Sequence, residues 1–280
     1  MIIWLASYPK SGNTWVRSII AALMYTNDGV FKFELLNQIK QFPSKKYFKD
    51  FTNDFENIHE IIKHWESAQD LINLDNKVKF LKTHHINCKI DQYNFTNEKN
   101  TLATIYIVRD PRNLVNSISN HFSKSVEDSK NFLFAPKIIT KFEKEDDLDN
   151  GSLITLLGTW NEHYNFWKNN NENFLLIKYE DLINNTNSEL DKIIAFIKRF
   201  TPIQTDEIKN KNIIKTTSFN YLQNLEEKGG FDENAYDTND TKKKFFNLGP
   251  KNNWENNLNK KIKDEIELKF YVEMKELGYL

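Results

Sequence analysis

Four short stretches are apolar on both faces and rich in β-branched residues: IIWLAS (2–7), KVKFLKT (77–83), TLATIYIV (101–108) and NFLLIKY (173–179). Such runs predict strands of a parallel sheet covered on both sides. Between them, apolar positions recur at helical spacing. Trp15, Ile19, Ala22 and Leu23 share one face over 14–25, and the same period runs through 59–72, 152–167 and 188–200. A last helix is predicted over 257–278. Alternating strands and helices imply an α/β fold, a single domain over 1–280 with a largely parallel central sheet flanked by helices. Two stretches break the pattern: 122–151, with Pro136 and an acidic cluster at 143–149, and 224–253, rich in Gly, Asn, Asp and Lys. Further amphipathic helix follows each, so they read as lids or surface insertions rather than interdomain linkers.

Composition narrows the class. A chain of 280 residues, 39% hydrophobic and 28% charged, can bury one large core. Its formal charge of −1 gives no global field to recruit nucleic acid or an anionic membrane, so anion binding must come from locally placed groups. The single cysteine, Cys88, excludes an intramolecular disulfide and agrees with a reducing compartment. No targeting segment opens the chain, and no run approaches the ~18 apolar residues of a membrane span. A cytoplasmic protein is expected. The sequons at Asn94 and Asn150 are of the kind an Asn-rich chain produces by chance. No His/Asp/Glu cluster has metal-ligand spacing, and nothing in the pattern fixes an oligomeric state.

The chemistry concentrates where the first strand ends. Tyr8-Pro9-Lys10-Ser11-Gly12-Asn13-Thr14 leaves its carboxyl end and enters a helix. In open α/β sheets ligands bind at such strand ends, and the free N–H groups of a first helical turn favour an anion. Gly12 lets backbone approach the anion, Ser11 and Thr14 add hydroxyl donors, Lys10 adds a charge, and Trp15 offers a flat face to a base. A Walker loop places its lysine after the last glycine and ends on a Mg²⁺-binding hydroxyl. Here the lysine precedes the glycine, so a phosphate cradle without metal is the better chemical reading.

YPKSGNTW (8–15) resembles the 5′-phosphosulfate loop of sulfotransferases that use 3′-phosphoadenosine-5′-phosphosulfate (PAPS), with Asn13 in place of a threonine. Four more segments match that family in order. IYIVRDPRNLVNSISNHF (105–122) is similar to its 3′-phosphate motif, with an Arg and a Ser eight apart, which implies that Arg109 and Ser117 bind that phosphate. FLKTHHIN (80–87) resembles the catalytic segment. The match makes His84 the general base and Lys82 a contact of the transferring group, while His85 has no family role and leaves some ambiguity beside it. LLIKYEDL (175–182) and TTSFNYL (216–222) resemble the purine-lining segments, implying Tyr179, Thr217 and Phe219 around the adenine. FFNLGPKNNW (245–254) keeps Gly249 and Trp254 of the glycine loop, but Asn247 and Leu248 stand where the family has Arg and Lys. Phosphate binding then leans on Arg109 and Ser117, on backbone N–H groups, or on Lys251 or the Lys242–Lys244 cluster. Trp160, His163 and Trp167 are read as packing.

The resemblance runs from residue 2 to about 260. It implies a P-loop-nucleotide-kinase-like sulfotransferase fold and sulfuryl transfer from PAPS, leaving 3′-phosphoadenosine 5′-phosphate (PAP), to a hydroxyl or amine. His84, Lys10, Lys82 and Ser117 form the catalytic set. Ser11, Gly12, Asn13, Thr14, Trp15, Arg109, Tyr179, Thr217, Phe219 and Gly249 complete the nucleotide site, with no metal. In the family, the serine matching Ser117 can also engage the loop lysine and restrain wasteful hydrolysis. The acceptor stays open among small molecules, glycans and lipids, its walls expected in 26–58, 122–151 and 224–246. Phe31, Phe33, Phe42, Tyr47 and Phe48 either line an apolar acceptor pocket or pack in the core. A catalytically degenerate nucleotide-binding protein of the same fold and an ATP-dependent small-molecule kinase are the alternatives; the first would lose Lys10, Lys82 and His84 early, and the second needs a Walker lysine.

Overall fold

The computed structural model describes residues 1–136, 138–139, 151, 153–229, 231, 235–236 and 242–280, with backbone alone at 139, 235, 236 and 242. Its central sheet is built from β1 (Ile2–Ser7), β2 (Lys40–Gln41), β3 (Lys79–Thr83), β4 (Thr101–Val108) and β5 (Phe174–Lys178), in the order β2-β3-β1-β4-β5. β1 pairs parallel to both β3 and β4, and β2 parallel to β3. Each of the four apolar runs supplies one strand, because a run with no polar face is stable only when both faces are covered. Every residue of β1 is buried.

Ala6 pairs with Thr83 and Ser7 with Ile107, so β1, β3 and β4 finish together. His84 directly follows β3, Arg109 directly follows β4, and Lys10 lies shortly past β1.

The helices that concern the site are α1 (Asn13–Tyr25), α2 (Trp65–Ile72), α3 (Pro111–Phe122), α4 (Val126–Phe134), α5 (Trp160–Asn169), α6 (Thr186–Ile197), α7 (Glu207–Thr216), α8 (Phe219–Glu227) and α9 (Lys260–Lys269). Four expectations change. The helix read over 59–72 is broken by a 3-10 turn at Ile62–His64, leaving α2 as its second half. Among the described residues of 152–167, only the part from Trp160 is helical. Gly158 sits at φ +68, Thr159 caps the helix by accepting from the Glu162 N–H, and Glu162 returns a bond to the Thr159 N–H. Thr155–Leu156 instead pairs antiparallel with Ile138–Ile139. The closing helix breaks at Phe270, whose buried ring sits at φ −113 between α9 and Tyr271–Glu276. The stretch 122–151 contains α4; its acidic cluster at 143–149 and the Asn150 sequon lie outside the described residues, as does part of 224–253.

The described chain divides into two compact units. The first comprises Met1–Tyr8, Ile39–Ile107 and Pro136–Leu176. Its core gathers Trp4, Phe42, Phe48, Trp65, Phe95 and Trp167, with Trp4 ring centroids 5.6 Å from Phe42 and Phe95 and 6.0 Å from Trp167. The second comprises Pro9–Gln38, Val108–Ala135 and Ile177–Leu280. There α1 packs on α7, and Phe31, Phe33, Phe231 and Phe246 form an aromatic cluster. Phe31, Phe33, Phe42 and Phe48 are therefore core residues, and Tyr47 is half-buried. α3 starts on Asp110, which caps the Arg112 N–H with Pro111 in the first turn. The Arg112 guanidinium grips Asp110, Glu267 and the Tyr279 carbonyl, which ties the chain's end to this helix.

Candidate functional site

In the second unit the loop after β1 is held in a conformation that few residues adopt. Lys10 has φ 69 and Gly12 φ 103. Gly12 caps α1 through its carbonyl, which accepts from the Trp15 and Val16 N–H groups. A Cβ there would lie 2.6 Å from the Tyr179 ring, so both the backbone angle and the close ring demand glycine. Ser11 is fully buried and its Oγ has no hydrogen-bond partner; neither has Trp15 Nε1 nor Arg109 Nε. Buried unpaired donors cost stability unless a ligand completes them. Asn13 and Thr14 are buried in the first turn of α1. Donors gathered at a helix start, with a guanidinium among them, fit an anion.

Arg109 is 5% exposed. Its Nη1 donates to the Lys10 carbonyl at 3.3 Å and to Ser117 Oγ at 3.2 Å, and its guanidinium lies 4.1 Å over the Tyr179 ring. Trp15 meets Tyr179 edge-on at 5.7 Å. Burial raises the Tyr179 hydroxyl's pKa, and burial also raises the neighbouring Glu180 carboxyl against the pull of Arg109. Glu180 is held by the Asp110 N–H and the Tyr279 hydroxyl.

The glycine loop docks on α3. Asn252, absent from the sequence expectations, donates from Nδ2 to Ser117 Oγ at 3.0 Å and to the Asn113 carbonyl at 2.8 Å; the Trp254 N–H donates to Asn113 Oδ1. Its link to Ser117 spans 135 positions, so no local signal announces it. Gly249, at φ +52, lies against Phe219, whose ring would stand 2.3 Å from an added Cβ. Thr217 is buried and its hydroxyl donates to the Ile213 carbonyl. Asn247 and Leu248 are exposed. Among the alternative cations, Lys243 donates to the Asn120 carbonyl and Ser123 Oγ, Lys244 pairs with Glu227, Lys251 is exposed, and the Lys242 side chain lies outside the described residues. Lys10 Nζ lies 3.4 Å from His121 Nδ1 and 3.8 Å from the Phe245 ring centroid.

In the first unit, His84 is half-buried. Its Nδ1 lies 2.8 Å from the Ser7 carbonyl and 3.2 Å from Ser7 Oγ. A carbonyl only accepts, so Nδ1 carries the proton and Nε2 the lone pair. His163, read from the sequence as packing, does more. Its Nε2–H donates to the His84 carbonyl at 3.0 Å, and the Tyr106 hydroxyl donates to its Nδ1 at 2.8 Å. Burial drives the His163 pKa down to about 3, so it stays neutral. His85 is fully buried, stacked 4.3 Å from Phe95, donates Nδ1–H to the Ile86 carbonyl, and burial lowers its pKa to about 4. Lys82 is 7% exposed on β3, where its backbone pairs with Leu5 and Gln41. Trp160 and Trp167 are buried, and Trp167 Nε1 donates to the His85 carbonyl. Among the described residues no three His, Cys, Asp or Glu gather as metal ligands, and no helix is long and apolar enough to cross a membrane.

Known proteins give this constellation a setting. A 3-alpha-hydroxysteroid sulfotransferase of Cavia porcellus is 25% identical over 79% of this chain and 65% of its own length. The chain thus spans just under two thirds of that relative. Sulfotransferase 1E1 of Bos taurus is 25% identical over 97% of this chain and 82% of its own. A mouse sulfotransferase, SULT7A1, solved in complex with PAP, superposes with TM-score 0.60 at 19% identity, covering 98% of this chain and 84% of that one. Retinol dehydratase, solved with retinol and PAP, superposes at 0.61 with 15% identity, covering 98% and 81%; these two likenesses concern the fold. The Sulfotransferase domain profile matches residues 2–278, nearly the whole chain and every segment described above. On that match the chain belongs to the sulfotransferase domain family.

Proposed function

We propose that this chain transfers a sulfuryl group from PAPS to the hydroxyl or amine of a small-molecule acceptor in the cytosol, its two units acting as one catalytic domain. One observation carries the reading. At the start of α1, Ser11 Oγ and Arg109 Nε are buried and lack partners, with Gly12 held open at φ 103 and Lys10 beside it. A bisphosphorylated nucleotide would complete those donors. The 5′ end would lie on the N–H groups of 11–15 and Lys10, and the 3′-phosphate on Arg109 and Ser117, with Asn252 adding an amide in place of the missing cations. Trp15, Tyr179 and Phe219 would flank the base, with Thr217 and Gly249 setting the wall around Phe219.

The chemistry asked of the residues is positioning and charge stabilisation, with little covalent work. His84 Nε2 takes the acceptor's proton as the acceptor oxygen or nitrogen bonds to sulfur. The bond between sulfur and the 5′-phosphate oxygen breaks, and that oxygen leaves with the electron pair, stabilised by Lys10. Lys82 holds the sulfuryl oxygens. His163 fixes the backbone from which His84 projects. A steroid and a flavonol stand in relatives' names, which supports an alcohol on an apolar small molecule as acceptor.

The test is a panel of alcohols, phenols and amines incubated with sulfur-labelled PAPS. Label on at least one acceptor, dependent on His84, supports the reading. PAP binding without transfer to any acceptor would leave only a nucleotide-binding protein of this fold.

A further inference from the structure

Lys10 is the residue on which the proposed chemistry turns, yet its ammonium is held by two side chains to which the segments containing them assign no role. Nζ lies 3.4 Å from His121 Nδ1, near the end of α3, and 3.8 Å from the centre of the Phe245 ring. The two rings stand nearly perpendicular, 87° apart with centroids at 5.9 Å, so they form a corner around the ammonium. The corner is anchored on both sides. His121 packs edge-on against Phe122 at 4.7 Å, and Phe122 stacks on Phe132 of α4. On the other side, the Phe245 and Phe246 N–H groups both donate to the Glu226 carboxylate, and Lys243 Nζ reaches the end of α3 at Asn120 and Ser123. A π face attracts a cation, and a neutral imidazole can accept its proton in a hydrogen bond. Ser117, the residue from which the family resemblance expects a hold on this lysine, takes bonds from Arg109 and Asn252.

We propose that His121 and Phe245 are positioning residues that hold Lys10 in this corner, so that a nucleotide must draw the lysine out of it to use its charge. The inference rests on the nucleotide-binding reading above. Parking is an intramolecular competitor: it stabilises the free state and weakens nucleotide binding, as any interaction confined to one state shifts a linked equilibrium. It also keeps the ammonium from stabilising a leaving phosphate until the donor is fully seated.

The measurement is calorimetric titration of the full chain with PAP. His121→Phe keeps a ring against Phe122 and Phe245 but cannot accept from the ammonium. It should bind PAP ~3- to 10-fold more tightly than wild type, the scale of one lost charge-assisted hydrogen bond after solvent compensation. His121→Gln, whose amide oxygen can still accept, should stay near wild type. Phe245→Leu, on the other side of the corner, should also tighten binding. Each gain should vanish in a Lys10→Met background, because only the lysine links the corner to the nucleotide. The proposal is overturned if His121→Phe and Phe245→Leu leave PAP affinity unchanged or weaken it, or if their effects persist without Lys10. Absence of PAP binding by wild type would overturn it together with the functional reading, and is told apart by that one titration.

Discussion

His84 and the groups behind it show how one side chain is prepared. The Ser7 carbonyl accepts a hydrogen bond from Nδ1–H and leaves Nε2 as the basic atom, while the His163 N–H donates to the His84 carbonyl. Removing a general base usually costs ~10²–10⁴ in rate while leaving cofactor binding in place. His84→Ala should therefore retain PAP affinity and lose that much of kcat, read by parallel binding and turnover assays; near-normal turnover would reject the role. The two buried histidines make a second prediction. Burial holds His163 at about 3 and His85 at about 4, both below the ~6.5 of an unfolded chain. The unfolded state then binds protons first as pH falls, so the stability that the neutral forms contribute is complete above ~6.5 and is lost toward pH 3. Denaturant unfolding should show a loss of about 2–4 kcal/mol per histidine by pH 4. His163→Gln should flatten part of that slope. Of these details the sequence shows the K-T-H order, but not which histidine faces the core. That choice is made by Phe95, which stacks on His85.

At the scale of elements, strands were legible and helix starts less so. A run such as TLATIYIV carries its own answer, because only a covered strand tolerates apolar residues at every position. Over 152–167 the apolar spacing suits a helix, yet Gly158 at φ +68 and the Thr159–Glu162 capping box start it at Trp160. The T-x-x-E signature was present in the sequence; the strand pairing of Thr155–Leu156 with Ile138–Ile139 that claims the preceding residues was not. Likewise the loop Tyr8–Thr14 was readable from its residue order, whereas Asn252 on Ser117 depends on a loop far along the chain. Glycine geometry offers the test at this scale. Gly249→Ala would drive a methyl into the Phe219 ring, while at Gly229, φ +94, an added Cβ meets nothing within 4 Å among the described residues. Gly249→Ala should weaken PAP binding ~10-fold or more by displacing the base wall; Gly229→Ala should cost only the ~1 kcal/mol of backbone strain and leave binding alone. Equal effects on PAP affinity would remove Phe219 from the site.

Over the whole molecule, a net charge of −1 gives no global field for an anion, so the proposed nucleotide recognition must be local, carried by a handful of donors in the second unit. Calorimetric unfolding should show one cooperative transition if the two units act as one domain, and PAP should raise its midpoint by mass action. Two separated transitions, only one of them moved by PAP, would make the units independent. The central claim is that Lys10, Arg109 and Ser117 read a nucleotide phosphorylated at both ends, and titration of wild type with PAP and with AMP tests it most directly. The account predicts PAP binding tighter than AMP by at least ~10-fold, the contribution of the 3′-phosphate's charge-assisted bonds, with the difference abolished in Arg109→Ala. Equal affinity for the two nucleotides, or a preference that survives the loss of Arg109, would contradict it.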